Sequence, residues 1–267
     1  MQRGHPQLAW RFLNAYLEHS GDYSGLGALR YYLAYRAMVR AKVAAIRAGQ
    51  EDPAQARHEL DTCRSYLALA HDCLTRRRPA LIVMHGLPGS GKSTVAQLAL
   101  ERLGAIRIRS DVERKRLFGL DALADSRSQV GGGIYGEEAT QRTYARLHEL
   151  ARSLLAAGFP VIVDAAFLRH AEREHFRTLA REMNVPFAIA SVQADAAVLK
   201  ERLAQRSERA DDASEADAAV LHVLRAAQEP LDDEERCLAV AFVNDGNIDE
   251  LRTAEEAWGL LEARLAC

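Results

Sequence analysis

The stretch of sequence that decides the fold runs from residue 81 to residue 94 and reads Leu81-Ile82-Val83-Met84-His85-Gly86-Leu87-Pro88-Gly89-Ser90-Gly91-Lys92-Ser93-Thr94. Its first four residues are a short apolar run, which is typical of a buried strand. Gly86 to Ser93 then matches G-x-x-x-x-G-K-S in full, and apolar residues at helical spacing follow it. This order predicts a strand, a tight glycine-rich loop and a helix at about 92–103.

The glycine-rich loop has the composition of a phosphate-binding site. Glycines let backbone N–H groups turn inward without a Cβ clash, and a helix that begins near Lys92 adds a partial positive charge. We expect Lys92 to bridge the β- and γ-phosphates of ATP, Ser93 to ligate Mg²⁺ and Thr94 to contact the α-phosphate. A chance glycine-rich turn is the alternative, and the strand and helix in register argue against it. The predicted nucleotide-binding residues in the loop are Gly86, Leu87, Pro88, Gly89, Ser90, Gly91, Lys92, Ser93 and Thr94.

The chain beyond the loop alternates between short apolar runs and amphipathic segments. Such strands, separated by helices, predict a parallel sheet covered on both faces. The strand candidates are Ala80–His85, Ala105–Arg109, Pro160–Asp164, Phe187–Val192 and Leu238–Val243. The further helix candidates are residues 137–157, 171–183, 195–207, 214–228 and 248–264.

The first 75 residues contain no convincing strand. Apolar residues recur there at helical spacing in three sets, separated by Gly21–Gly25 and Gly49–Pro53. We therefore predict a helical segment over 1–75, a linker over 76–79 that carries three arginines, and a second unit over 80–267.

Two carboxylates follow predicted strands at the edge where the glycine-rich loop lies, because the carboxyl ends of parallel strands share one edge of the sheet. Asp111 follows the second strand and could accept the proton of an acceptor hydroxyl, with helix capping as the alternative. Arg114, three residues on, could hold the acceptor or its phosphate. Asp164 ends the third strand, where it could hold Mg²⁺ through water or position the acceptor; a structural turn is the alternative.

Two segments are candidates for contacts with an acceptor. Residues 129–136 are rich in glycine and suit a flap, with Tyr135 as a stacking or hydroxyl contact, although a plain linker fits equally well. Arg169 and Arg173 are four residues apart beyond Asp164. They could face solvent as readily as substrate.

Three arginines share a stripe of the helix that runs from Asp195 to Arg209. Arg202, Arg206 and Arg209 are offset by four and three residues, and arginine stabilises the charge that phosphoryl transfer spreads over oxygen atoms. We expect a lid near 200–213, with Arg206 as the first choice for phosphate contact and catalysis and Arg202 as the second. An exposed charged helix face is the alternative.

Composition limits the other function classes. The net charge is −2 and aromatic residues are 6%, so nucleic acid, which needs a basic surface with stacking aromatics, is a possible partner that the composition does not favour. The sequence shows no membrane-length apolar run and no signal-peptide pattern at its first residues. Its four cysteines have no paired spacing, which indicates neither a disulfide framework nor a metal site and predicts a reducing, cytoplasmic location.

These residues together resemble the P-loop kinase superfamily, in the style of gluconate kinases, adenylyl-sulfate kinases, zeta toxins and polynucleotide 5′-kinases. The resemblance covers about 80–258 and rests on the loop, Ser110-Asp111-x-x-Arg114-Lys115, the Val163-Asp164 strand end and the arginine-bearing lid. It implies an α/β three-layer P-loop NTPase fold with a five-stranded parallel sheet in the order 2-3-1-4-5. By similarity, the general base of zeta toxins and polynucleotide kinases falls on Asp111.

The chain is also similar to the C-terminal part of bacterial proteins in which an aminoglycoside-phosphotransferase-like domain precedes a P-loop ATPase or kinase. Residues 12–17 and 31–37 resemble the last helices of that domain. Its catalytic His-Gly-Asp loop and metal-binding aspartate have no counterpart here, so aminoglycoside phosphorylation by these helices is excluded.

The sequence therefore predicts a kinase that uses ATP and Mg²⁺ to phosphorylate a hydroxyl of a small molecule. The alternatives are a polynucleotide 5′-hydroxyl kinase or toxin-type nucleotide-sugar kinase, and an ATP-hydrolysing regulatory module without an acceptor. The sequence does not specify the acceptor or the oligomeric state.

Overall fold

The computed structural model describes residues 4–122, 124, 132–209 and 218–266, with the side chains of these residues except 206–209 and 218–219. Five strands form the sheet: β1 (Leu81–His85), β2 (Ile106–Arg109), β3 (Val161–Asp164), β4 (Phe187–Gln193) and β5 (Ala239–Val243). The helices are α1 (Pro6–Ser20), α2 (Leu26–Ala48), α3 (Pro53–Thr75), α4 (Lys92–Leu103), α5 (Ser110–Leu117), α6 (Glu137–Ala156), α7 (His170–Met183), α8 (Ala196–Arg209), α9 (Ala218–Ala226), α10 (Asp233–Leu238), α11 (Ile248–Arg252) and α12 (Glu255–Leu265), with a short 3-10 helix at Gly133–Tyr135.

The sheet is parallel throughout and has the order β2-β3-β1-β4-β5. Its central strand β1 is buried at every residue, and Ile82 lies between Ile162 on β3 and Ala188 on β4. All five strand candidates are present, and each end lies within one residue of its prediction. The predicted fold class and strand order are confirmed.

Alternating residues of the strands supply two cores, one on each face of the sheet. Leu81 and Val83 point into a core with α6 and α7, whereas Ile82 and Met84 point into a core with α4, α11 and α12. This alternation is the two-residue period of a strand. Both faces are covered, which gives the three-layer arrangement. Because the strands are parallel, their carboxyl ends lie at one edge of the sheet.

Helix α1 is packed into the same structure as the sheet. Leu17 is buried in the core that contains α6 and α7. The side chain of Asn14 forms two hydrogen bonds with the backbone at the start of β2. Its Oδ1 accepts from the backbone N of Arg107 at 2.7 Å, and its Nδ2 donates to the carbonyl of Ala105 at 3.0 Å. The predicted boundary at residues 76–79 stays a prediction, but α1 contributes to the core on its far side.

The helices of the first 75 residues also present apolar side chains to the surface. Helices α2 and α3 pack on each other through small residues, among them Ala34, Ala37 and Ala70. The spacing of apolar residues therefore predicts these helices correctly, but it does not predict which of their side chains are buried. The exposed large apolar residues on them are Leu8, Phe12, Tyr16, Tyr31, Tyr32, Leu33, Tyr35, Met38, Val43, Ile46, Leu60, Leu67 and Leu74.

Three details differ from the sequence-based expectations. The predicted helix over 248–264 is two helices, α11 and α12, interrupted at Thr253 and Ala254. The short helices α5 and α10 were not among the predicted helices. Arg173 faces neither solvent nor a substrate site: it is 1% exposed, and its guanidinium makes two hydrogen bonds to the Glu235 carboxylate at 2.7 and 2.9 Å.

Among the described residues, none of the helices is both long and apolar enough to cross a membrane.

Candidate active site

The glycine-rich loop needs glycine at two positions for steric reasons. Gly86 has φ +145° and Gly91 has φ +92°, in the region that disfavours side chains. A Cβ on Gly86 would lie 2.3 Å from the carbonyl O of Val192, and one on Gly91 would lie 2.0 Å from Nδ2 of Asn244. The loop therefore packs closely against two other segments of the protein, at Val192 in β4 and at Asn244 just after β5, and these contacts fix its backbone.

Lys92 begins α4 and reaches back over the loop. Its Nζ donates to the carbonyl O of Leu87 at 3.0 Å. Ser93 and Thr94 follow in the first turn and are half-buried. The amino group, the helix N-terminus and the two hydroxyls therefore lie around one loop, as the motif predicts.

Asp164 lies at the same edge with a carboxylate that suits a cation. It ends β3, where its Cα pairs with that of Arg109 on β2. The residue is 5% exposed, and its Oδ2 is buried without a hydrogen-bond partner among the described residues; the nearest cation is Arg109 Nε at 3.7 Å. An anionic oxygen left in this state fits a hard divalent ion such as Mg²⁺.

Asp111 lies in the first turn of α5, directly beyond β2. The N-cap position of this helix is occupied by Arg109 and carries no capping side-chain bond, so the capping alternative for Asp111 does not hold. Its side chain is half-buried and makes no hydrogen bond or ion pair with the described part of the chain. Since β2 lies next to β3, Asp111 and Asp164 emerge on the same edge of the sheet.

Arg114 and Tyr135 contact each other. The Arg114 guanidinium lies 5.1 Å from the centre of the Tyr135 ring, and its Nη1 donates to the carbonyl of Ile134 at 2.8 Å and to Oγ1 of Thr140 at 3.1 Å. Arg114 is buried and thereby joins α5 to the 3-10 helix and to the start of α6. Acceptor binding by these two residues stays a prediction. Residues 129–131 of the predicted flap lie outside the described residues.

The predicted lid helix is linked to the loop by a residue that sequence reasoning missed. Asn244, just after β5, donates from Nδ2 to the carbonyl of Ser90 at 2.7 Å. Arg202 of α8 donates to the backbone O of Asn244 at 2.8 Å and to that of Gly246 at 3.1 Å. Asn244 could have been predicted as a site residue, because it directly follows β5 and ligands bind beyond the carboxyl ends of parallel strands. The side chains of Arg206 and Arg209, and residues 210–213 of the predicted lid, lie outside the described residues.

His85, the last residue of β1, is a second buried polar group beside the loop that was not predicted. Its Nδ1 lies 3.0 Å from Oγ of Ser191. Burial lowers the pKa of His85 to about 4, and the positive charges of Arg173 and Lys92 add to this effect. The imidazole is therefore neutral near pH 7 and adds no charge to the site.

Comparison with known proteins identifies the family. Residues 81–231, more than half of the chain, match the AAA domain family AAA_33. The chain belongs to this family. The match begins at β1 and includes the loop, Asp111, Asp164 and α8.

The chain is also similar to uncharacterized proteins of Mycobacterium tuberculosis and Mycobacterium bovis. Identity to each is 31% over 218 residues, which is 82% of this chain and 43% of the relative. The chain thus spans less than half the length of these relatives. Its similarity to the fusion proteins considered above stays a prediction.

Solved structures confirm the type of fold. A sugar kinase from Janibacter sp. HTCC2649 superposes with a TM-score of 0.52 at 19% identity, covering 72% of this chain and 98% of the other. Kti12 of Chaetomium thermophilum, in complex with ADP-AlF3, gives 0.51 at 19% identity, covering 69% and 98%. The P-loop kinase type of fold is therefore shown.

Proposed function

We propose that this protein is a magnesium-dependent phosphotransferase that moves the γ-phosphoryl group of ATP to a hydroxyl of a small molecule. The observation that carries the proposal is the arrangement at one sheet edge of a complete phosphate loop and two carboxylates that emerge beside it. Asp111 has no partner among the described residues, and Asp164 has an oxygen without a hydrogen bond. One carboxylate can therefore serve a metal ion and the other a proton.

The loop supplies the nucleotide site. Backbone N–H groups between Gly86 and Thr94, together with the N-terminus of α4, suit the polyphosphate, and Lys92 adds a full positive charge. Ser93 and Asp164 are the residues that would hold Mg²⁺. The ion, when bound, offsets negative charge on the phosphate oxygens.

Asp111 is the group to which we assign the proton transfer. The acceptor oxygen forms a bond to the γ-phosphorus, the bond from that phosphorus to the bridging oxygen breaks, and ADP leaves with the electron pair. The hydroxyl proton passes to the Asp111 carboxylate, which has no hydrogen bond or ion pair in the described chain to compete for it.

The acceptor site is expected around Arg114 and Tyr135. Arg114 fixes the 3-10 helix, so a change there would move Tyr135 as well. A buried cation beside an aromatic ring suits a polar ligand of small size. A nucleic-acid acceptor and an ATP-hydrolysing regulatory module remain the alternative outcomes of the test.

The proposal is tested by following the labelled γ-phosphoryl group of ATP through a library of small hydroxyl compounds, with 5′-hydroxyl oligonucleotides as a separate arm. Asp111→Asn should lower transfer by about 10²- to 10⁴-fold while binding ATP as the wild type does. Asp121→Asn, at an exposed aspartate beyond α5, is the matched control and should transfer normally. Turnover to water alone that Asp111→Asn leaves unchanged would favour the regulatory module instead.

A further inference from the structure

The predicted metal site is bordered by two arginines that the N-terminal helix holds. Arg109 lies next to Asp164, with 3.7 Å between Nε and Oδ2. Arg107, two residues earlier on β2, donates from Nη1 to the backbone O of Ser93 at 3.3 Å. Each arginine thus contacts one of the two residues expected to hold Mg²⁺.

A single carboxylate from α1 binds both arginines. Glu18 accepts from Arg109 Nη1 at 2.7 Å through Oε1 and from Arg107 Nη2 at 2.9 Å through Oε2. The three side chains are largely buried, with exposed fractions of 23% for Glu18, 10% for Arg107 and 14% for Arg109. Their mutual attraction is therefore poorly screened by solvent.

Glu18 is ionised in this position. Burial is the largest influence and opposes ionisation, but the charges and hydrogen bonds of Arg109 and Arg107 outweigh it and hold the pKa of the Glu18 carboxyl below its usual value. The cluster of Glu18, Asp164 and the two arginines is balanced in charge. Among these four side chains, removal of Glu18 leaves two cations and one carboxylate.

We propose that Glu18 is a positioning residue for the metal site: it holds Arg107 and Arg109 in place and offsets their charge, so that Asp164 stays available to Mg²⁺. The inference rests on the proposed function, because it concerns the metal that accompanies the nucleotide. When Glu18 is lost, Arg109 can turn fully onto Asp164 and compete with the ion. Helix α1 is thereby a working part of the site, although it precedes the segment that matches the family.

The test measures metal binding directly, with Mn²⁺ as the probe and electron paramagnetic resonance of free Mn²⁺ as the readout, in the presence of ADP. Glu18→Gln should raise the apparent Kd of Mn²⁺ about tenfold. Addition of Arg109→Gln to this variant should bring the Kd back towards the wild-type value, because the competing cation is gone. A structural role of Glu18 alone would not produce this recovery.

Arg11→Gln is the matched control. Arg11 forms a different ion pair between α1 and the body of the protein, with Glu101 on α4 at 2.8 Å, and its loss should change the Kd by less than about twofold. The inference is overturned if Glu18→Gln binds Mn²⁺ as the wild type does, if Arg11→Gln gives an equal shift, or if the double variant shows no recovery.

Two further results separate the possible failures. If Glu18→Gln does not fold, as judged by circular dichroism, Arg109→Gln alone serves: its Kd should equal the wild-type value or fall below it, and a rise overturns the inference. If the wild-type protein with ADP binds no Mn²⁺, the proposed function itself fails, and this inference fails with it.

Discussion

At the end of β1, the imidazole of His85 lies between two polar side chains. Its Nδ1 is 3.0 Å from Ser191 Oγ and its Nε2 is 3.5 Å from Nε2 of Gln228. Burial lowers the pKa of His85 to about 4, so the folded state favours the neutral imidazole over the protonated one. In the unfolded chain the same group takes up a proton near its usual pKa of 6.5.

This difference predicts an acid-sensitive stability. The pKa of His85 is lower in the folded state, so the unfolded state binds a proton first as the pH falls. The free energy of unfolding should therefore decrease between about pH 6.5 and pH 4, by about 3 kcal/mol from this group. His85→Gln should flatten that part of the profile in urea unfolding, whereas His58→Gln, at an exposed site on α3, should keep it. An unchanged slope in His85→Gln would contradict the assignment.

The candidate site could be predicted from sequence only where a motif or a strand end marks it. Lys92 follows from the glycine-rich motif, and Asp111 and Asp164 follow from the rule that ligands bind beyond the carboxyl ends of parallel strands. Asn244 and Glu18 act through contacts with residues 154 and 91 positions away, Ser90 and Arg109. No local pattern encodes such contacts, so they became visible only in the structure.

At the scale of elements, periodicity predicted those helices that have an apolar stripe. Helix α4 has its predicted ends, Lys92 and Leu103. Helix α5 has a run of charged residues and only Val112 and Leu117 as apolar ones, so it presents no stripe to recognise. The break between α11 and α12 was missed because Leu251 and Trp258, both buried, keep a helical spacing across it.

Asn244 connects three elements, the loop, β5 and α8, and its loss should have two effects. Asn244→Ala leaves the carbonyl of Ser90 without its donor and should cost about 1–3 kcal/mol of stability. It should also weaken ATP binding, since the loop loses its bond to Asn244 Nδ2 and Arg202 loses its 3.4 Å bond to Asn244 Oδ1, keeping only its bonds to backbone oxygens. Unfolding in urea and calorimetry with ATP measure the two effects.

Asn247→Ala is the matched control for this prediction. Asn247 caps α11 by accepting from the backbone N–H groups of Asp249 and Glu250, so its loss should cost about 0.5–2 kcal/mol without a change in ATP affinity. If both variants bind ATP as the wild type does, Asn244 is a structural residue only.

At the scale of the whole molecule, the sheet and α1 form one packed structure. Leu17 is 1% exposed in the core beside α6 and α7, and Trp10 meets the edge of Phe159 with ring centres 6.5 Å apart. The division of the chain into 1–75 and 80–267 follows a change in sequence pattern, and that pattern contains no information about packing across it. The helical segment therefore contributes to the stability of the domain that carries the loop.

Truncation of Leu17 tests this packing. Leu17→Ala should lower the free energy of unfolding by about 2–5 kcal/mol, because it leaves a cavity in the main core. Phe12→Ala, on the same helix but 76% exposed, should change it by no more than about 0.5 kcal/mol. Urea unfolding followed by tryptophan fluorescence gives both values, and equal effects of the two substitutions would argue that α1 is not held in the core.

The most direct test of the account is the binding of ATP to the loop, measured by calorimetry with Mg²⁺ present. The wild-type protein should bind ATP, and Lys92→Ala should lose at least about tenfold in affinity, or about 1.4 kcal/mol, whereas Lys42→Ala, at an exposed lysine on α2, should bind normally. No heat of binding in the wild type, or equal affinity in Lys92→Ala, would contradict the claim that residues 86–94 hold the phosphates of a nucleotide.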